Sequence, residues 1–583
     1  MMRSLHGSAR RLRLVIAATL ALGWIMAQTA RVSALGEPDF TAEIAMRDGL
    51  DLPLRAWFPD GEGSWPVVLC RWYNTHPPGH LGESTFVANG YALVVAAFRD
   101  GKDGDVRGEP GTRFTRDDVD GYDTVEWIAR QPWCNGQVAM TGKSAGGITA
   151  FQAATAQPPH LKAIIPQNYG APFGTWGVWG YRANGAVTLA MTAHSRAIPD
   201  IQKPPWDTDR DAYKFLPLLE LDLQGRGEES PLWRQYVSQT RWEAEESFRK
   251  VRCPVLLTGG WWDYYSGSAF GLWRGLRENG ATPEVRIIVD ATQHVSQFPK
   301  DGRDYGDRHQ SIAAASLRWL DHVLKGVDNG LADEPPVKVF TMGANRWQYY
   351  DDWPPTGATM TRAYLHGRGD GRFGTLDATP PDLEPPSEYV YDPDDPVPNL
   401  GGNHSVWFHH TLVPVGSFDH SAHEERRDVL VFSTDVLADD TEVTGPVAVR
   451  FWAATDALDT DWTAILLDVE PDGTPYNVTM GIVRARYRRG MYEPPELLTP
   501  GEVQEYTLHL MPTSYVFRKG HRIRLYLSSS NFPLWDRNTN TGGDIATETE
   551  TRVAGQTVYH DRDHPSHLLL PIVSGGIDRD AAP

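Results

Sequence analysis

Five consecutive residues, Gly142-Lys143-Ser144-Ala145-Gly146, fit the pattern G-x-S-x-G. In a nucleophile elbow the serine sits on a sharp turn from strand to helix, with its hydroxyl held clear of the backbone. The flanking positions are small because bulky neighbours would collide there. The pattern alone is weak, since a glycine-rich chain meets it by chance. Its context is stronger: Gln137-Val-Ala-Met140 reads as a short strand, and Gly147 to Gln157 as an Ala-rich helix. A serine hydroxyl becomes a useful nucleophile when a base takes its proton and an acid orients that base. Lys143 precedes the serine, but a sharp turn points it away, which disfavours a Ser–Lys dyad.

On elbows of this kind the chain order is Ser, then Asp or Glu, then His. Two loops supply that order. Gly259-Gly-Trp-Trp-Asp263 follows an apolar run at 254–257, and Asp290-Ala-Thr-Gln-His294 follows one at 285–289. Both lie just beyond the C-terminal ends of strands, where open α/β sheets place their sites. Asp263 is therefore the expected acid and His294 the expected base. Asp290 is a competing acid, less favoured because it is so near His294 in sequence. An oxyanion needs two donors. The backbone N–H of Ala145 offers one. The loop Arg71-Trp72-Tyr73-Asn74 after the strand at 67–70 should offer the other, and the Tyr73 hydroxyl can donate there or simply pack. Trp72, Trp176, Trp179, Trp262 and Tyr264 could line a substrate pocket, and several of these rings could equally be packing residues.

The elements that must position these groups alternate. Thr41 to Phe58 reads as a hairpin about Asp48-Gly49. Buried strands follow at 67–70 and 92–97, a helix at 117–131, then the strand and helix around Ser144, and a strand at 161–165. Residues 170–249 lack clear strands and read as a helical cap inserted into the sheet. Ser311 to Lys325 is an amphipathic helix closed by Gly326. After Pro335-Pro336 short alternating strands dominate, as in a jelly roll. The Pro- and Asp-rich stretch 379–399 reads as a surface loop. The fold class is α/β: a hydrolase domain over 38–334 with an inserted cap, then a jelly-roll β-sandwich over 335–583.

The chain has 583 residues, a net charge of −20, 21 Trp and 3 Cys. The charge argues against nucleic-acid partners and against attraction to anionic membranes. Cys70, Cys134 and Cys253 are too few for a disulfide scaffold or a multi-Cys zinc site, and read as buried thiols. No cofactor or metal fingerprint is present. Asp392, Asp394 and Asp395 read as a turn rather than a Ca²⁺ loop. Asn403-His-Ser405 and Asn477-Val-Thr479 are glycosylation sequons. At the N-terminus Arg3, Arg10, Arg11 and Arg13 precede an apolar run from Leu14 to Ala27, and Val32-Ser-Ala34 offers a cleavage site. Residues 1–34 are thus expected to be a signal peptide, which makes the mature chain secreted or periplasmic. Homo-oligomerisation stays open.

Several longer stretches carry a family resemblance. They are Gly121-Tyr-Asp-Thr-Val-Glu-Trp127, Gln131-Pro-Trp-Cys-Asn-Gly136, Gly259-Gly-Trp-Trp-Asp263, Leu317-Arg-Trp-Leu-Asp-His-Val-Leu-Lys-Gly326, Asp428-Val-Leu-Val-Phe432 and Gly481-Ile-Val-Arg-Ala-Arg-Tyr487. Together they resemble the cocaine esterase, α-amino-acid ester hydrolase and X-Pro dipeptidyl-peptidase group of serine hydrolases, over nearly the whole mature chain. The resemblance implies a cap over the site and a Tyr hydroxyl in the oxyanion hole, which falls on Tyr73. Two departures bear on substrate. Ala145 stands where the family commonly has Tyr, so a pocket wall shrinks. Tyr264, Tyr265 and Ser266 follow Asp263 where the amino-acid ester hydrolases carry carboxylates, and no acid flanks Ser144. An unpaired substrate ammonium is costly to bury. The expectation is a hydrolase of carboxylic esters, with amides a second class. The alternatives are release of X-Pro dipeptides, or a non-catalytic glycan-binding protein.

Overall fold

The computed structural model describes residues 35–79, 81–100, 107–108, 114–169, 182–190, 193, 197–198, 203–239, 247–294, 302–306, 312–368, 371–403 and 412–577. The expected signal peptide, Trp176 and Trp179 lie outside them. Among the described residues no helix is long and apolar enough to cross a membrane. The chain forms two compact units. The first comprises Met1–Thr141, Pro158–Ala163 and Ser311–Val327; the second comprises Gly142–Gln157, Ile164–Gln310 and Asp328–Pro583.

The first unit holds β1 (Phe40–Ala45), β2 (Asp51–Trp57), β3 (Trp65–Trp72), β4 (Ala92–Ala97) and β5 (Cys134–Lys143), whose last two residues pass into the second unit. The order is β1-β2-β4-β3-β5. β1 and β2 form the expected hairpin, with Gly49 at positive φ in its turn. β3 pairs in parallel with β4 and β5. Every residue of β4, Ala-Leu-Val-Val-Ala-Ala, is buried, as a strand covered on both faces requires. Helices α1 (Glu83–Ala88), α2 (Asp117–Ala129) and, from later in the chain, Ile312–Lys325 complete this unit.

The second unit opens with α3 (Ala145–Thr155), buried on nearly all sides. Its sheet is built from β6 (Leu161–Gln167), whose first three residues belong to the first unit, β9 (Val255–Gly260), β10 (Val285–Asp290), β11 (Val337–Thr341) and β12 (Arg346–Tyr350). β6, β9, β10 and β11 run parallel, and β12 returns antiparallel. β11 lies beyond Pro335-Pro336, yet it pairs with β10, so the parallel sheet continues past that point. Between β9 and β10 lies a helix that the glycine-rich sequence obscured, α6 (Ser266–Asn279).

The region expected to be a helical cap holds a two-residue hairpin, β7 (Arg182–Ala183) and β8 (Ala186–Val187), and short helices α4 (Leu221–Arg226) and α5 (Pro231–Ser238). Ser230 caps α5 by accepting from Trp233 N–H, with Pro231 at its first turn. Trp233 is fully buried and donates to the carbonyls of Leu218 and Leu219. Leu189, Tyr213, Leu221 and Trp233 share one apolar cluster with Val413, Ile465, Ile482, Phe532 and Trp535, so these cap segments pack on the C-terminal strands.

Those strands are β13 (Thr359–Arg368), β14 (Phe373–Asp377), β15 (Ser387–Tyr391), β16 (Leu430–Ser433), β17 (Thr441–Gly445), β18 (Ala448–Thr455), β19 (Asp461–Val469), β20 (Pro475–Arg484), β21 (Gln504–His509), β22 (Thr513–Phe517), β23 (Arg522–Ser528), β24 (Ala554–Tyr559) and β25 (His567–Ser574). They are antiparallel throughout except for β14 beside β16. One correction falls here. The stretch 379–399 is not simply a loop: β15 within it pairs with β24, and its residues alternate buried and exposed. Asp394 and Asp395 accept from Arg537 and Arg426, while the Asp392 carboxylate accepts from Asp394 N–H. Both sequon asparagines are buried. Asn403 Nδ2 donates to Trp261 O and Asn477 Nδ2 to Gly416 O, so neither amide is presented for glycosylation.

Candidate active site

β5 ends at Lys143 and α3 starts at Ala145, which leaves Ser144 alone on the turn at φ 53°, ψ −110°. Positive φ is strained for a residue with a Cβ, at a cost of about 1–3 kcal/mol, and such strain persists only where packing over-determines it. Here it does. A Cβ on Gly142 would stand 2.5 Å from Gly146 Cα, and one on Gly147 would stand 2.8 Å from Tyr169 Cβ. Ser144 N–H donates to Gln167 O at 2.9 Å, and Ser144 O accepts from Ile148 N–H. Lys143 and Ala145 are buried, while Ser144 is only half-buried. Ala145 and Gly146 open α3, where backbone N–H groups have no intrahelical acceptor and the helix dipole favours negative charge.

β9 and β10 bring the other two residues together. Their parallel register ends at Gly260 opposite Asp290, and the loops then run side by side. Trp261 N–H donates to Asp290 O, and Trp262 N–H to Thr292 O. The approach is so close that a Cβ on Gly260 would lie 2.1 Å from Thr292 O. Asp263 and His294 thereby meet: His294 Nδ1 lies 3.2 and 3.1 Å from the two Asp263 oxygens, both residues being fully buried. Asp263 also accepts from Asn168 Nδ2 at 2.8 Å and from Tyr265 N–H at 3.1 Å. A buried carboxylate needs such donors. With Asp263 accepting, His294 Nδ1 carries a hydrogen, so whenever the ring is uncharged its lone pair is on Nε2. Asp290, the competing acid, accepts instead from Thr292, through both N–H and hydroxyl.

Asn168 is a residue the sequence reading missed. It lies just past β6 at φ 45°, its N–H bonded to Thr258 O, so its amide turns toward Asp263. Its position beyond a parallel strand was the available signal. Tyr264 stacks on the His294 ring at a centroid distance of 5.2 Å, Tyr265 lies tilted against it at 5.5 Å, and Met511 packs against the tyrosine pair. Trp262 is fully buried, its ring stacked on Tyr305. Trp261 is tied to β11 by its indole N–H, 2.7 Å from Phe340 O. In the first unit, half-buried Tyr73 follows β3 with its ring edge-on to Trp72 and to Phe98. All three cysteines are free thiols. Burial raises each of their pKa values, that of Cys253 to about 12, so none is a thiolate nucleophile at neutral pH.

Comparison with known proteins agrees with this architecture. A family model described as X-Pro dipeptidyl-peptidase (S15 family) matches residues 48–296. One described as the X-Pro dipeptidyl-peptidase C-terminal non-catalytic domain matches residues 329–569. The cocaine esterase of Rhodococcus sp. (strain MB1 Bresler) is 33% identical, over 91% of this chain and 97% of that one. The crystal structure of an aminopeptidase from a marine sediment Thaumarchaeota archaeon superposes with TM-score 0.76 at 25% identity, covering 93% of this chain and 98% of that one. An α-amino acid ester hydrolase structure shares the fold at TM-score 0.78 and 23% identity, with the same coverage. The fold is that of an α/β hydrolase with a C-terminal β domain.

Proposed function

This chain belongs to the X-Pro dipeptidyl-peptidase (S15) family of serine hydrolases, and on that footing we propose that it is an exported esterase working through Ser144, Asp263 and His294. Ser144 Oγ attacks the acyl carbon while His294 Nε2 takes its proton. Asp263 fixes the tautomer and stabilises the imidazolium that forms. The oxyanion is held by Ala145 N–H and by the Tyr73 hydroxyl. The alcohol leaves with the proton returned from His294. Water, activated by the same imidazole, then releases the acid and restores Ser144.

The observation that carries this reading is the buried His294–Asp263 pair, with Asp263 anchored by Asn168 and Tyr265. An imidazole oriented by a buried carboxylate, on loops that follow two neighbouring parallel strands, is placed to act as a base. The cocaine esterase relative supports carboxylic esters as the substrate class. The neutral rings of Tyr264 and Tyr265 beside His294 support an acyl group without a free ammonium. The Arg-then-apolar N-terminus supports export. Replacing Ser144 by Ala should abolish turnover of a p-nitrophenyl ester while the melting temperature stays near wild type. Retained turnover would refute the mechanism.

The family description favours one second reading, release of X-Pro dipeptides. An X-Pro-anilide assayed beside simple acyl esters separates the two. The ester reading requires kcat/KM to be higher on the esters.

A further inference from the structure

We propose that Arg303 is a positioning residue for the His294–Asp263 pair, so that the C-terminal β domain takes part in catalysis although it supplies no reacting group. The proposal rests on the function just argued.

Arg303 lies nine residues beyond His294 and reaches into the C-terminal strands. Its Nη1 donates to Asp468 Oδ2 at 2.8 Å and to the Tyr515 hydroxyl at 2.7 Å, and its Nη2 donates to Glu470 Oε1 at 2.6 Å. Tyr515 in turn donates to Asp468 Oδ2 at 2.8 Å. The guanidinium lies 5.0 Å from the centre of the Tyr476 ring. The backbone is fastened too: Arg303 N–H donates to Ser417 O at 2.7 Å, and a Cβ on Gly302 would stand 2.9 Å from that same oxygen. Charge-assisted bonds of this kind, to two carboxylates at once, set position as well as energy.

Two residues further on, buried Tyr305 stacks on Trp262 at 6.2 Å and meets Tyr515 edge-on at 6.4 Å. Trp262 immediately precedes Asp263, and its N–H bonds Thr292 O in the loop that ends at His294. The path from the β domain to the acid and base is thus Asp468 and Glu470, Arg303, Tyr305, Trp262. Asn403 adds a separate tie by donating to Trp261 O at 2.7 Å. Catalytic groups must be held to about 0.5 Å, and a shift of about 1 Å costs on the order of 10²-fold in rate. A clamp this close to the acid is placed to set that tolerance.

The test uses full-length protein carrying Arg303→Ala, Arg303→Lys or Tyr305→Leu. It reads the rate constant and the final extent of fluorophosphonate labelling, together with kcat and KM on a p-nitrophenyl ester. Arg303→Ala and Tyr305→Leu should each lower kcat and the labelling rate constant at least tenfold, with full final extent and KM within about twofold. Arg303→Lys, keeping the charge but not the fork, should fall between them and wild type. A loss confined to the final extent, with surviving molecules labelled at the wild-type rate, would mean stability alone and would overturn the proposal. If Arg303→Ala does not fold, Tyr305→Leu decides, since it leaves every ion pair of Arg303 in place: a wild-type rate there overturns the proposal. Wild-type protein that takes no label would instead refute the function itself.

Discussion

Ser144 takes a backbone conformation that costs free energy, and the neighbours that force it there are glycines whose Cβ positions are already occupied by backbone or by Tyr169. Asn168 holds Asp263 from one side, and Tyr73 is assigned the second oxyanion donor. A hydrogen bond to a charged group is worth about 1.5–3 kcal/mol, and each 1.4 kcal/mol is tenfold in rate. Asn168→Ala should therefore lower kcat by about ten- to a hundredfold and change KM little. An unchanged kcat would remove Asn168 from the site. Tyr73→Phe should cost on the order of 10²–10³ in kcat if its hydroxyl stabilises the transition state. A loss seen mainly in KM would make it a substrate contact.

At the scale of elements, the decisive junctions are β5 into α3, and β9 beside β10. The first tolerates no added atom. Gly142→Ala should lower stability by about 1–3 kcal/mol, as overpacking does. It should show as a depressed melting temperature with esterase activity lost in proportion. An unshifted melting temperature would mean that the elbow can relax. This junction was legible in the sequence because everything it needs lies within about twenty residues: a short apolar strand, small residues around a serine, then an Ala-rich helix. Asp263 and His294 were legible for a related reason, since each ends a short loop after an apolar strand. What stayed hidden depends on distant packing. Asn168 reaches its partner across 95 positions. The glycines of Ser266–Asn279 masked α6, whose apolar face is set by Phe270, Leu272, Trp273 and Leu276 packing inward. β15 was concealed by prolines on either side, and only its partner β24 makes it a strand. β11 is short and alternating like the strands after it, and only its parallel pairing with β10 assigns it to the hydrolase sheet.

At the scale of the whole molecule, stability should follow pH through a buried histidine pair in the C-terminal domain. The His420 and His423 rings are fully enclosed, with Nδ1 atoms 3.2 Å apart. His423 Nε2–H donates to Pro398 O, so its Nδ1 must accept from His420 Nδ1–H. Protonating the pair would set N–H against N–H in a site closed to water, with Arg426 and Arg210 adding like charge. Burial accordingly pushes His423 down to about 4 and His420 well below the usual imidazole range. A folded-state pKa below the unfolded one means that the unfolded chain binds more protons. Stability is then complete above about pH 6.5 and is lost progressively as pH falls through 4. The melting temperature of His423→Gln should show a shallower decline than wild type over that window. Identical slopes would place the acid sensitivity elsewhere.

The most direct test of the central claim is to map the covalent adduct. Wild-type protein and Ser144→Ala would be treated with a fluorophosphonate, digested, and the modified peptide identified by mass. Ser144 as the nucleophile requires a single adduct there, its appearance matched by loss of p-nitrophenyl ester turnover, and no adduct in a folded Ser144→Ala protein. An adduct on another residue, or undiminished turnover in Ser144→Ala, would contradict it.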